Sequence, residues 1–123
     1  MKKKILIIHD IREERKKIKA FLEGLGCIAD EALNGEQAFE YCMSRRPDAM
    51  VVYSKLQNQD GLSFLKLYHD TIGQFQKLPP VIFCIDDKKD PNAEPALKDG
   101  AKVLLVYPLT VKKIDTCLKK IFV

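Results

Sequence analysis

Lys4-Ile5-Leu6-Ile7-Ile8 is a continuous apolar run rich in β-branched residues, the pattern of a central strand covered on both faces of a parallel sheet. From Glu13 to Glu23 the pattern changes. Ile18, Phe21, Leu22 and Leu25 recur at i, i+3, i+4 and i+7, with Gly24 and Gly26 as the stop, which predicts an amphipathic helix. Cys27 to Glu31 is a weaker strand candidate. Asn34-Gly35 turns the chain into a second helix, with Ala38, Phe39, Cys42 and Met43 expected inward and Pro47 marking its end. Asp48 to Tyr53 carries a third buried strand, and the polar stretch from Lys55 to Gly61 reads as a loop. Leu62, Leu65, Tyr68 and Ile72 form a third helical stripe, and two prolines lead into a fourth strand, Val81 to Ile85. Pro91 suits a first helical turn, but Pro95 predicts that the helix between Asn92 and Asp99 is short or irregular. Val103 to Val106 is the fifth strand, and Val111, Ile114, Leu118 and Ile121 line a closing helix.

Strands alternating with helices, in units long enough for crossovers, predict an α/β fold. The expectation is a flavodoxin-like three-layer sandwich: a five-stranded parallel sheet in order 2-1-3-4-5 with five helices on both faces. The 123 residues suit a single domain spanning 1–123. In such a sheet a site lies beyond the carboxyl ends of the strands, where the strand order reverses. The tips to inspect are His9-Asp10, Tyr53-Ser54, Ile85-Asp86 and Tyr107-Pro108.

Composition narrows the function. The net charge is +4, but basic residues are interspersed with acids, as in Arg12-Glu13-Glu14-Arg15-Lys16-Lys17, and no basic stripe with aromatic base readers is visible. Nucleic-acid binding by this domain alone is not expected. Cys27, Cys42, Cys84 and Cys117 are widely spaced and read as small core residues in a reducing compartment. No apolar run approaches the ~20 residues of a membrane span, and no signal peptide is visible. A cytoplasmic location follows as the expectation. A flavin site would need a Gly/Ser/Thr-rich loop after the first strand, and His9 to Glu13 is not one.

Lys4 to Asp10, Asn34 to Ala38, Pro47 to Val52, Asp60-Gly61, Pro80 to Ile82, Gly100-Ala101 and Pro108-Leu109 together resemble the response-regulator receiver family in order and spacing, over essentially the whole chain. Members of that family use an acidic pair after the first strand to hold magnesium and an aspartate after the third as phosphoacceptor. A Thr or Ser ends the fourth strand and a Lys precedes a proline after the fifth. Carried over by position, the resemblance implies that His9 replaces the first acid while Asp10 keeps the second. Tyr53 stands at the acceptor position, Ile85 at the hydroxyl position and Tyr107 at that of the lysine.

Each change argues against phosphoryl acceptance. Magnesium wants hard oxygen ligands, and Asp10 alone is a poor set. A tyrosine with a pKa of about 10 is not an ionised nucleophile at neutrality. Losing the lysine removes a cation that would neutralise developing charge, and Ile85 offers no hydroxyl. Asp10 is expected to cap a helix or anchor a loop, His9 to be a satisfied loop histidine, and Tyr53 and Tyr107 to fill the former acid pocket with hydroxyls on Asp10 or His9. Asp48, Asp60, Asp86 and Asp87 are read as turn and cap residues. The expected function is that of a pseudo-receiver: no enzyme, no cofactor, no metal and no small-molecule substrate, but a protein partner or a second copy of itself. The resemblance points to the surface of the fourth helix, fifth strand and fifth helix, with Pro95, Lys98, Lys102, Tyr107, Lys112, Lys113 and Lys119 favouring an acidic partner. The alternatives are a phosphorelay receiver with an unorthodox acceptor such as Ser54, and the receiver part of a longer regulator. The chain ends directly after the fifth helix with no effector visible.

Overall fold

A computed structural model describes residues 2–56 and 60–122, so the expected loop at 55–61 falls partly outside the described residues, at 57–59. Five strands, Lys4–Ile8 (β1), Ile28–Ala32 (β2), Ala49–Tyr53 (β3), Val81–Ile85 (β4) and Ala101–Val106 (β5), pair in parallel in the order β2-β1-β3-β4-β5. Between and after them lie Arg12–Gly24 (α1), Gly35–Ser44 (α2), Gly61–Asp70 (α3), a 3-10 turn at Ile72–Gln74, Ala93–Lys98 (α4) and Val111–Ile121 (α5). The flavodoxin-like topology expected from the sequence is the one observed.

Strand alternation divides the apolar runs between two cores. Leu6, Ile8, Met50, Val52, Phe83 and Ile85 pack with Ala38, Phe64, Tyr68 and Ala96 of α2, α3 and α4. Ile5, Ile7, Val51, Ile82 and Cys84 face the other way, onto Ile18 and Leu22 of α1 and Ile114 and Leu118 of α5. Each buried Leu, Ile or Phe stabilises by roughly 1.5–3 kcal/mol, and β1, β3 and β4 feed both layers, which is why they read as unbroken apolar runs.

Caps set the helix starts. The Asn34 side chain accepts from the Gln37 backbone N–H at 2.9 Å while Gln37 Oε1 accepts from the Leu33 N–H at 2.8 Å, a reciprocal arrangement akin to a capping box. Asp60 accepts from the Ser63 N–H at 2.7 Å, and Thr110 from that of Lys113 at 3.1 Å. Asp48 accepts from the Lys4 N–H and Asp87 from the Lys89 N–H. The helix α4 has six residues with Pro95 as its third, a position whose N–H would have no partner inside the helix. The proline is therefore tolerated, and Pro91 lies outside the helix. Met43, expected inward, is 65 % exposed. Ala38 and Cys42 occupy the buried line of α2, and Met43, one residue further round, projects over an open cleft. β2 is offset by one residue, with Cys27 outside it and Ala32 inside.

Candidate functional site

The carboxyl ends of β1, β3, β4 and β5 bring together His9, Tyr53, Asp86 and Tyr107, from four separate parts of the chain. The rings of His9 and Tyr53 stack in parallel, with centroids 4.2 Å apart and planes 2° from coplanar. Tyr107 stands edge-on to both, its centroid 5.6 Å from Tyr53 and 6.5 Å from His9. Its hydroxyl lies 3.1 Å from His9 Nε2. Each aromatic pair of this geometry contributes about 0.5–1.5 kcal/mol beyond its buried area. The three rings occupy the place at the switch point where an open crevice is the rule for such sheets.

His9 is 2 % exposed. Its Nδ1 accepts the Ile11 backbone N–H at 3.1 Å, so that nitrogen carries no proton. The proton belongs on Nε2, where it is donated to the Tyr107 hydroxyl. Burial holds the imidazole below its ordinary pKa, against the opposing pull of Asp10. The 3.4 Å approach of Asp10 Oδ1 to Nδ1 is therefore not an ion pair in the neutral ring. Arg15 fixes the same turn from α1, with Nη1 on the His9 carbonyl at 2.8 Å and Nε on Glu31 at 3.1 Å.

Three expectations are corrected here. Asp10 does not cap a helix: Ile11 is the N-cap of α1 and makes no side-chain cap bond, while Asp10 Oδ1 is buried with no donor among the described residues. Tyr53 bonds neither Asp10 nor His9. Its hydroxyl reaches across to both carboxylate oxygens of Asp86, at 3.0 and 2.9 Å, because stacking on His9 aims the ring toward the tip of β4. Asp86, read as a turn or cap residue, does lie in the bend after β4, but its carboxylate caps no helix and instead holds Tyr53, with Lys55 also approaching at 3.3 Å. Burial, then the hydrogen bond to Asp86, push the Tyr53 phenol well above its usual range. Burial does the same to Tyr107. The expected bond between Tyr107 and His9 is present.

Ser54 is completely buried, with Asn92 Nδ2 3.4 Å from its hydroxyl. Ile85 is buried in the core beneath the tip of β4. Gly61 lets α3 start against the sheet: a Cβ there would collide with the Tyr53 carbonyl and press on Val52 and Phe83 at 3.0 Å. Among the described residues, no cluster of three or more His, Cys, Asp or Glu could hold a metal ion, and no helix is long and apolar enough to cross a membrane.

The surface lysines expected to act together divide between two hollows. Lys98 and Lys102 line one at the amino ends of the strands, with Arg46 and Lys77. Lys112 and Lys113 line another beside β5 and α5, with Lys88 and Lys120. Lys119 pairs with Asp115 at 3.1 Å, and Tyr107 belongs to the aromatic cluster. Sequence reading missed Asp86 as the partner of Tyr53 and Arg15 as the clamp on His9. The only hint of the latter was the i, i+1, i+4 spacing of Arg15, Lys16 and Lys19, all of which meet Glu31 at the end of β2.

Residues 5–119 match the family described as the response regulator receiver domain. Two chemotaxis proteins CheY are similar along the chain: that of Thermotoga maritima is 26 % identical, with 98 % of both chains covered. That of Bacillus subtilis is 28 % identical, also covering 98 % of each. Among solved structures, a two-component response regulator from Clostridium difficile is 26 % identical, covers 98 % of this chain and 96 % of its own, and superposes with a TM-score of 0.86.

Proposed function

The chain belongs to the response-regulator receiver family, the receiver domains of two-component signal transduction, and from that premise we propose that it is a pseudo-receiver, a non-phosphorylatable protein-interaction module. Residues 1–123 act as one receiver-like unit. The observation that carries the reading is the His9–Tyr53 stack closed by the Tyr107 hydroxyl. Phosphoryl transfer needs an ionised acceptor and fixed positive charge at the same spot. Here the acceptor position presents a phenol held well above neutrality, and the lysine position presents a second phenol. The donor set does not fit magnesium, the ion the family implies: His9 contributes a stacked neutral ring, and Asp10 remains beside it without the oxygen partners such an ion requires. No step is routed through a metal.

Ser54 is a poor alternative acceptor, since its hydroxyl is shut inside the protein. Receiver domains are generally non-enzymatic modules that work by binding proteins in signalling. Here the face of α4, β5 and α5 is the proposed output surface. The hollow lined by Lys88, Lys112, Lys113 and Lys120 supports an acidic partner there. Intact-mass measurement after incubation with magnesium and a small-molecule phosphodonor tests the reading. An unchanged mass is expected, and a magnesium-dependent gain of one phosphate overturns it.

A further inference from the structure

Two depressions lie away from the aromatic cluster. The first is a cleft of about 320 Å³ between α2 and the end of α3, lined by Phe39, Cys42, Met43, Ile72 and Phe75. Phe75 is 87 % exposed. A large aromatic side chain almost wholly in water, beside an exposed Met, is unusual away from an interaction site. The second is a hollow of about 680 Å³ at the amino ends of β3, β4 and β5, lined by Arg46, Lys77, Lys98 and Lys102, with His69 at its border. Among the described residues none of those four cations has a carboxylate within 4.0 Å, whereas Arg15, Lys16 and Lys19 all converge on Glu31. Two acids also line the hollow, Asp48 and Asp99, and Asp48 is turned onto the Lys4 N–H at 2.8 Å.

Their linings are neighbours in the chain, with Met43 close before Arg46 and Gln76 directly before Lys77. Arg46 follows α2, three residues after Met43, and its Nη2 donates to the Lys77 carbonyl at 3.0 Å, two residues after Phe75. We propose that this seam is a second docking surface, at the opposite end of the sheet from the aromatic cluster, for an acidic segment of a partner protein that seats an apolar side chain against Phe75 and Met43 and lays its carboxylates over Arg46, Lys77 and Lys102. Apolar anchors in a groove with charge at the rim are how amphipathic segments are held. Charge selects the partner over a second copy. The chain carries a net charge of +4, and a two-fold pairing through this patch would set like-charged hollows against each other. The surface shares no residue with the aromatic cluster, so this inference and the pseudo-receiver reading stand or fall separately.

An unbiased display library of random 16-residue peptides, selected against the intact chain, tests it. The enriched peptides are expected to be acidic with apolar residues three or four apart, and to bind less tightly as salt is raised. Their binding should fall about tenfold or more on Phe75→Ser and on Arg46→Glu/Lys77→Glu. These side chains are at the surface, and equal thermal midpoints for the variants check their folding. In isotope-labelled protein, amide shifts should cluster at 43–46, 75–78 and 98–102. Enriched peptides with no acidic bias, undiminished binding to both variants, or an enriched pool in which no peptide shifts the amides at 43–46, 75–78 and 98–102 each overturn the proposal.

Discussion

Replacing Tyr53 with aspartate puts the family's acceptor residue back and thereby separates a filled pocket from a merely mutated one. Tyr53→Asp removes the stack on His9 at 4.2 Å and the edge contact with Tyr107 at 5.6 Å, together worth about 2 kcal/mol at about 1 kcal/mol per pair. The hydrogen bond from Tyr53 to Asp86 adds less than about 1 kcal/mol, since Asp86 is exposed and regains water when the phenol leaves. The new carboxylate also arrives near Asp10 and Asp86, which already act electrostatically on this position. A loss of roughly 2–3 kcal/mol follows, a fall in melting temperature of roughly 6–12 °C for a domain of this size. Urea melts of wild type and Tyr53→Asp, each with and without magnesium and a small phosphodonor, are the assay. The mutant midpoint should drop and stay where it fell when the additives are present. An undiminished midpoint, or donor-dependent recovery in the mutant, refutes a sealed and static cluster.

Magnesium at millimolar concentration should leave the wild-type melting temperature unchanged within about 1 °C, because a ligand stabilises only by binding the native state; a saturable rise reversed by a chelator contradicts this. His9 is held below 6.5 chiefly by burial, so the unfolded chain takes up its proton first: the stability from the neutral ring is complete above about pH 6.5 and is lost as pH falls toward the depressed folded value. Urea midpoints measured at about pH 7.5 and about pH 5.5 should therefore fall on acidification in wild type, and His9→Gln should flatten that dependence. Gly61→Ala should destabilise by about 1–3 kcal/mol, since its Cβ meets the Tyr53 carbonyl; a wild-type melting curve would show that α3 can back away from the sheet.

The strands and their order were legible because β1, β3 and β4 are buried on both faces and so read as unbroken apolar runs. β2 was read one residue early because it is an edge strand, with Ile28 exposed and Asp30 and Glu31 at half-buried positions, and its alternation is correspondingly faint. Membership of the aromatic cluster was also legible, since Tyr53 is the last residue of its strand and His9 and Tyr107 directly follow theirs. Which hydroxyl meets which acceptor was not. Tyr53 and Asp86 are 33 residues apart, and His9 and Tyr107 are 98 apart, and the direction of each ring is set by a side-chain torsion that carries no sequence signature. The lysines misled for a different reason. Lys102 and Lys112 are near in the chain, but Lys102 is the second residue of β5 and four more strand residues follow it, about 13 Å at ~3.3 Å per residue, so the two emerge toward opposite ends of the sheet.

That separation bears on how a domain with a sealed crevice could still transmit anything. A ligand shifts a conformational equilibrium only through contacts that differ between the states. In the family, as the resemblance implies, the moving parts are a hydroxyl at the end of the fourth strand and an aromatic on the fifth. Here Ile85 is locked in the core, and Leu104 stands in place of the aromatic, packed against the same core. Under the pseudo-receiver reading the α4-β5-α5 face is thus presented in one form, and partner binding is governed by the partner's supply and charge rather than by a switch within this chain. The seam between Phe75 and Arg46 then matters more. With the crevice closed, a second partner at the amino ends of the strands could regulate the first by joining two proteins on one scaffold, at an effective concentration set by geometry. Such coupling needs no conformational change, and it would survive every substitution at His9, Tyr53 or Tyr107 that leaves the fold intact.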